Sequence, residues 1–429
     1  MYSEIRAANM PALIRPATRV LVVGGSYAGL SATVNLLDLA SGLQPRIGHS
    51  EYKHHPEAKT LPIEITIVDE RDGFFHLIGG PLAFASTKFA ERFWVKFADI
   101  PEIQRPNVRL IHGSVQKIDP AQKKATVLEY LAQKPRQENY DYVLCSSGLR
   151  RRFPSVPLSL TREEYLKEAQ GQIYRSTKAP KGVLVVGGGA VGIEMAAELK
   201  SVQPDVKVRL AHSRTKLLSA EALCDEAKDA SLDLLRESGV EPLMEHRLES
   251  VKETTGADGS VTKEVTFTNG HKLEVSEVIM ALSSPTATSS YLPSSAVNSE
   301  GYIKIEPSLC FTEGTPNHKS HFALGDIAQW SGIKRCGGAM HMGYHAAYNV
   351  HQSILADMFP DYKPEFNNLD EFPPVIGLAI GKKALATGGP DDVKFGEDVM
   401  EMYFRDDLGF SICWDYMGLG GRVTKNKEN

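Results

Sequence analysis

The sequence predicts an α/β fold built on two copies of one strand–turn–helix unit, with a small α+β unit at the C-terminal end. Three observations carry this. "RVLVVGGSYAGLSATVNLL" (residues 19–37) is an apolar run, a glycine turn and a helical pattern. "GVLVVGGGAVGIEMAAELK" (182–200) repeats that order. Each copy is followed by a further buried-type strand, the alternation expected of parallel βαβ units.

The elements follow in order. Residues 19–24 form a short apolar run of the kind buried on both faces. The helix after it places Leu30, Val34 and Leu37 on one face, and Ser41-Gly42 should end it. Residues 43–61 are polar, contain His54-His55 and read as a surface insertion. "IEITIVDE" (63–70), "VRLIHGSVQ" (108–116) and "DYVLC" (141–145) are further strands, and 162–176 is a helix leading to the second unit. That unit continues through strands at 206–212 and 277–282. Between them, "KEVTFTNGHKLEV" (263–275) is a hairpin turned at Asn269-Gly270. "SHFALGDIAQW" (320–330) precedes a helix over 338–358, and Pro373-Pro374 marks the start of the α+β unit. The last five residues, KNKEN, are expected to be disordered. The predicted domains are 1–155 with 283–366, then 156–282, then 367–429.

A strand entering a helix through G-x-G-x-x-G suits a dinucleotide pyrophosphate. The first glycine allows the turn, the second admits the phosphates, and the third lets helix and strand pack, with the helix N-terminus facing the charge. The second copy has Gly187, Gly189 and Gly192, with Ala190 and Val191 between. The first has Gly24, Gly25, Ala28 and Gly29, with Ser26 at the middle position, small and able to donate to phosphate. The strand after the first turn ends in Asp69-Glu70, acids placed to hold ribose hydroxyls; the alternative is a solvated strand-end charge. The corresponding strand of the second unit ends in His212, Ser213 and Arg214. An arginine there pairs with the 2′-phosphate of NADPH, or else belongs to a solvated basic turn. Two Rossmann-like dinucleotide-binding domains therefore divide the work: the first holds FAD and the second admits NAD(P)H.

Composition bounds the alternatives. The chain has 429 residues, 42% hydrophobic and 24% charged, with a formal net charge of −5. That balance does not suggest a nucleic-acid partner. No apolar run reaches the roughly eighteen residues of a membrane span. The first nineteen residues lack a secretory h-region, and Tyr2 excludes N-myristoylation. A cytoplasmic location is expected, with peripheral membrane contact left open. No oligomeric state follows from the sequence.

On these residues the chain resembles the two-dinucleotide-domain flavoprotein reductases of glutathione-reductase-like architecture. Within them it resembles the apoptosis-inducing-factor-like branch, which includes the ferroptosis-suppressor quinone reductase, and it is similar to type II NADH dehydrogenases. "VVGGGAVGIEMAAELKSVQPDVKVRLAHSR", "HFALGDIA" and "GYHAAYNVHQSIL" carry the likeness, which covers nearly the whole chain. The resemblance implies that Gly325 and Asp326 bind the flavin's ribityl or pyrophosphate region. The helix from near Gly338 would aim its N–H groups at the flavin's pyrimidine end. Val115 would touch adenine through its backbone, and Ser147-Gly148 stand at the family's Ala-Thr-Gly turn. Glu194, the one catalytic candidate, would orient the nicotinamide amide or complement its helix dipole, or both. Departures are Ser26, Leu82 where relatives often have arginine, and a missing glycine in "ALSSP" (281–285).

The implied cycle passes hydride from NAD(P)H to flavin and then electrons to a small-molecule acceptor. Cysteines stand at 145, 224, 310, 336 and 413, with no CxxC or CxxxxC spacing. They are expected to be small buried hydrophobes, which argues against a cysteine relay and for a direct acceptor: a quinone, another small oxidant or dioxygen. Trp94, Phe97 and Trp330 either line an aromatic acceptor pocket or are packing residues. Cys336, His341 and His345 suggest a metal, but no fourth ligand is evident and none is expected. His76 either faces the flavin or does not. Two other function classes stay open: a flavin oxidase or dehydrogenase acting on a specialised metabolite, and a non-enzymatic flavin redox sensor.

Overall fold

The computed structural model describes residues 16–48, 51–256, 261–282, 285–389 and 392–420. The first glycine turn joins β1 (Thr18–Val23) to α1 (Tyr27–Ala40), which leads to β2 (Ile63–Asp69). Their sheet runs in the order His321–Ala323, Tyr142–Cys145, β1, β2, Val108–Asp119, Lys124–Glu129, Lys134–Asn139. The first five strands are parallel, with Val20 opposite both Ile65 and Tyr142. The last two add antiparallel. The chain leaves β1 on one side and returns on the other. Such a reversal opens a crevice at the carboxyl ends of the strands.

The second turn repeats this at β3 (Val183–Val186), α2 (Ala190–Val202) and β4 (Val208–Ala211). Here the order is Glu241–Leu243, β4, β3, Glu277–Met280, all parallel, so β3 too lies at a reversal. The expected hairpin is present, with Gly270 at φ +84° in its turn, and a third antiparallel strand, Leu248–Thr255, flanks it. The long helix α3 (Cys336–Met358) starts two residues earlier than the sequence suggests. The C-terminal unit is an antiparallel sheet opened by β5 (Gly377–Ile380), followed by Glu397–Tyr403 and α4 (Phe410–Tyr416).

Two expectations are corrected. α1 is buried on every side, not along one face. It is clamped between the sheet and α3 so closely that a Cβ on Gly343 would meet Ala28 O at 2.5 Å. Its polar residues are satisfied internally: Ser31 Oγ donates to Met340 O (2.8 Å), and Asp38 pairs with the buried Arg46 (2.9 Å). Residues 43–61 are not simply a surface insertion. They bury Ile47, Tyr52, Ala58 and Leu61, and Tyr52 Oη meets His351 Nδ1 at 2.6 Å. His55 stacks on Phe359 at 4.1 Å.

Candidate active site

Both glycine turns open on one cleft of about 1940 Å³. The residues that the sequence assigns to cofactor binding and catalysis border it, except Gly25, Gly29, Gly192 and Arg214. Sterics explain three of these. A Cβ on Gly29 would stand 1.9 Å from Gly24 O, and one on Gly192 would stand 1.9 Å from Gly187 O. These glycines let each helix seat against its own turn. Gly25 packs over the Phe97 ring, 2.7 Å from where its Cβ would be. Gly189 and Gly148 differ: a Cβ on either meets nothing within 4 Å, so both present bare backbone to the cleft. Ser26 caps α1 without using its side chain, leaving the hydroxyl free to face the cleft.

The strand ends act on the turns in parallel fashion. Gly25 N–H donates to Asp69 Oδ2 at 2.6 Å, and Arg71 N–H donates to Oδ1 at 2.7 Å. Burial raises the Asp69 pKa against these bonds. In the second unit Gly188 N–H donates to His212 Nδ1 at 3.2 Å. Nδ1 therefore accepts, Nε2 carries the proton, and it reaches Ser219 Oγ at 3.0 Å. Burial lowers the His212 pKa, in keeping with a neutral ring. One turn is thus steadied by a carboxylate and the other by a neutral imidazole. Arg214 stands apart from these. It is exposed, stands outside the cleft and donates to Ser219 O at 3.3 Å, whereas Arg247 borders the cleft.

The remaining wall comes from distant segments. Glu70 pairs with Arg150, and Asp326 lies 3.5 Å from Arg151. Burial raises Asp326, opposed by that arginine. Val115 sits at a register irregularity of its strand, which turns the backbone there out of regular pairing. Ser147 Oγ is 3.0 Å from Tyr291 Oη. Glu194, in the first turns of α2, accepts weakly from Ala379 N–H of β5 at 3.4 Å. Withdrawal from solvent pushes it up to about 8, and pushes the buried Glu198 one turn on up to about 8 as well.

Spacing in sequence could not reveal one feature. Cys336, the first residue of α3, and Cys413 of α4 both border the cleft, and their sulfurs are 3.9 Å apart. Their contact lowers the Cys336 pKa and raises that of Cys413. The expectation of small buried hydrophobes fits Cys413, while Cys336 is half-buried.

Other candidates go elsewhere. His76 is wholly buried, between Tyr27 Oη (2.9 Å) and Leu408 O (3.0 Å), with a pKa lowered to about 3 by burial. It ties the first turn's helix to the C-terminal unit and does not border the cleft. Trp94 and Phe97 are core residues, and Trp330 donates to Asp370 O; none borders the cleft. Its aromatic wall includes Tyr291, Tyr302, Phe372, Phe404 and Tyr416, drawn from segments without a motif, besides Tyr27 of the first turn. Leu82 is buried. Ser283 and Ser284 of "ALSSP" lie outside the described residues. Among the described residues, no group of three or more His, Cys, Asp or Glu is arranged to hold a metal, and no helix is long and apolar enough to cross a membrane.

Comparison with known proteins agrees with this geometry. The profile of the pyridine nucleotide-disulphide oxidoreductase family matches residues 18–343. The chain is 47% identical to oxidoreductase OXR1 of Ajellomyces capsulatus, covering 94% of this chain and 88% of that one. It is 25% identical to human ferroptosis suppressor protein 1 (81% and 84% covered). It is 23% identical to apoptosis-inducing factor homolog A of Dictyostelium discoideum (91% and 89%). In fold it is similar to NDH2 of Plasmodium falciparum in complex with NADH, with a TM-score of 0.66 at 11% identity (94% and 97% covered). It is similar also to the water-forming NADH oxidase of Lactobacillus brevis bound to NADH, with a TM-score of 0.62 at 20% identity (86% and 75%). The chain belongs to the pyridine nucleotide-disulphide oxidoreductase family, as a flavoprotein oxidoreductase whose cofactors are FAD and NAD(P)H.

Proposed function

We propose that this protein takes electrons from NAD(P)H, with NADPH preferred, and delivers them to a quinone-like or other small organic acceptor. The observation that carries the reading is the convergence of two glycine turns, each at a strand reversal, on one cleft. The residues present fit the cofactors. Around the first turn, bare backbone at Gly148, the tight turn at Gly24 against Ser146 O, the uncommitted Ser26 hydroxyl and the α1 N-terminus suit a pyrophosphate, with Ala28 beside them. Asp69, Glu70, Val115, Ser147, Gly325 and Asp326 would hold the rest of FAD. Gly187, Gly189, Ala190, Val191, His212 and Ser213 would hold NAD(P)H. When bound, FAD supplies a two-electron carrier between the nucleotide and the acceptor.

The chain's own groups then position and exclude. The first N–H groups of α3 have no intrahelical acceptor and favour negative charge at that end of the cleft. Glu194, a carboxylic acid near neutral pH, can donate as well as accept toward an amide. His212 is neutral where an acid would repel a 2′-phosphate. The aromatic wall from Phe372, Phe404 and Tyr416 gives a flat apolar acceptor a surface to lie on and keeps water out. We assign 1–155 and 283–366 to the FAD lobe, 156–282 to the nucleotide lobe, 367–429 to the unit that completes the wall, and the protein to the cytoplasm. The resemblance of the sequence to the ferroptosis-suppressor quinone reductase branch favours a quinone-type acceptor.

Anaerobic stopped-flow mixing with NADPH and with NADH tests the reading. Rapid bleaching of the flavin absorbance, followed by nucleotide consumption on a quinone panel, is expected. Protein that binds no FAD, or a flavin that neither nucleotide bleaches, would overturn it.

A further inference from the structure

We propose that Cys336 and Cys413 form a redox-active thiol pair in the cleft, cycling between dithiol and disulfide and reducing a low-molecular-weight organic disulfide. The two come from different elements, one opening α3 and the other on α4 of the C-terminal unit, and meet at 3.9 Å. An approach of about 1.9 Å brings the sulfurs to the ~2.0 Å of a disulfide. Their roles differ. Cys336 is half-buried at the N-terminus of a 23-residue helix, where the dipole favours a thiolate, and it faces the cleft. Cys413 is 4% exposed and lies behind Cys336 at 3.9 Å. The accessible sulfur is thus the nucleophile and the sheltered one the resolving thiol.

The chemistry balances. The Cys336 thiolate attacks one sulfur of R–S–S–R; that bond breaks and R–S⁻ leaves to be protonated. Cys413 loses its proton and attacks Cys336 Sγ, expelling the second R–S⁻. The net result is two R–SH and one Cys336–Cys413 bond. Two electrons and a proton from NAD(P)H, with one more proton from solvent, break that bond, restore both thiols and leave NAD(P)⁺. This reductive half rests on the function proposed above; the oxidative half does not.

The test uses the FAD-loaded protein under anaerobic conditions, with 2-hydroxyethyl disulfide as probe. Thiols are counted after acid quench and denaturation, and peptides are mapped by mass spectrometry. The wild type should lose two of its five thiols to a single 336–413 cross-link, and NADPH should return both. Cys413→Ser should lose one thiol and retain half the probe on Cys336. Cys336→Ser should lose neither of the pair. A wild type that keeps all five thiols, or cross-links other cysteines, overturns the proposal. So does a cross-link that persists after NADPH has bleached the flavin. If NADPH bleaches no flavin, the reductive half falls with the proposed function, while the cross-link, read before nucleotide is added, still reports on the pair.

Discussion

Replacing Gly189 and Gly192 separately by alanine should divide the second turn's ligand role from its packing role. Gly189 caps α2 at φ −84° and ψ 176°, a conformation alanine adopts, and its added Cβ meets nothing within 4 Å. Folding stability should therefore change by no more than ~1 kcal/mol. The methyl group would stand where the pyrophosphate must approach the backbone. Displacing the phosphates by about a methyl radius removes one N–H bond to a charged group, worth ~1.5–3 kcal/mol. NADPH affinity should fall by roughly 10- to 100-fold. Gly192→Ala is the converse. Its Cβ would lie 1.9 Å from Gly187 O, so turn and helix must part by about 1.5 Å to reach ordinary contact. Overpacking of this kind costs ~1–3 kcal/mol, and at a backbone contact the upper end applies.

The assays are thermal unfolding of both variants with FAD bound, and NADPH titration followed by flavin bleaching. Gly189→Ala should melt like the wild type, keep its FAD and bind NADPH weakly. Gly192→Ala should melt earlier. A Gly189→Ala protein that binds NADPH as tightly as the wild type would refute the assignment of the nucleotide to this turn, and with it the two-site reading of the cleft.

Other expectations follow from the same geometry. His212→Asp puts a carboxylate under the second turn and should shift the NADPH-to-NADH ratio of kcat/KM by ~10-fold or more toward NADH; an unchanged ratio removes His212 from cofactor choice. Glu198 is raised from 4.5 to about 8 by burial. Its folded form binds a proton that the unfolded chain has lost, so its stabilising contribution is complete below about pH 4.5 and fades as pH rises through about 8. Comparing Tm against pH for wild type and Glu198→Gln should show the variant gaining relative stability across that window; parallel curves would contradict it. Tyr27→Phe leaves His76 Nδ1 without its buried partner and should cost ~1–3 kcal/mol, read from chemical denaturation. Asp326→Asn should lower the FAD retained through purification, measured as the flavin-to-protein absorbance ratio, without abolishing folding.

What the sequence made legible follows from the range of the interactions involved. The glycine turns were readable because each is a local steric problem. Gly29 answers to Gly24, and Gly192 to Gly187, five residues away in each case. Buried parallel strands were readable because both faces are apolar, as in "RVLVV" and "EVIM". Segments whose character depends on what covers them were not. Periodicity gave α1 one buried face, because Ser31, Asn35 and Asp38 look like solvent residues until α3 and Arg46 supply their partners. Leu248–Thr255, almost wholly exposed, carries no burial pattern for periodicity to detect.

The cleft obeys the same rule more severely. The part bordered by the glycine turns is made of turn-local backbone, which spacing in sequence can show. The cleft's aromatic part is made of side chains that share no sequence neighbourhood. Tyr291 follows the nucleotide lobe, Phe372 opens the C-terminal unit, and Tyr416 ends α4. The aromatic residues that sequence favoured, Trp94 and Phe97, were drawn instead into the core by Tyr165 and Gly25. Cys336 and Cys413, 77 residues apart, are the sharpest case, since a spacing rule tests only one route by which two sulfurs can meet. On the function proposed above, the family motif constrains where electrons enter, and the C-terminal unit, tied to α1 through His76 between Tyr27 Oη and Leu408 O, would line the place where they leave. It follows that exchanging residues 367–420 for those of a relative should alter acceptor preference while leaving the rate of flavin bleaching by NADPH nearly unchanged. A chimera with unaltered acceptor preference would place the exit elsewhere.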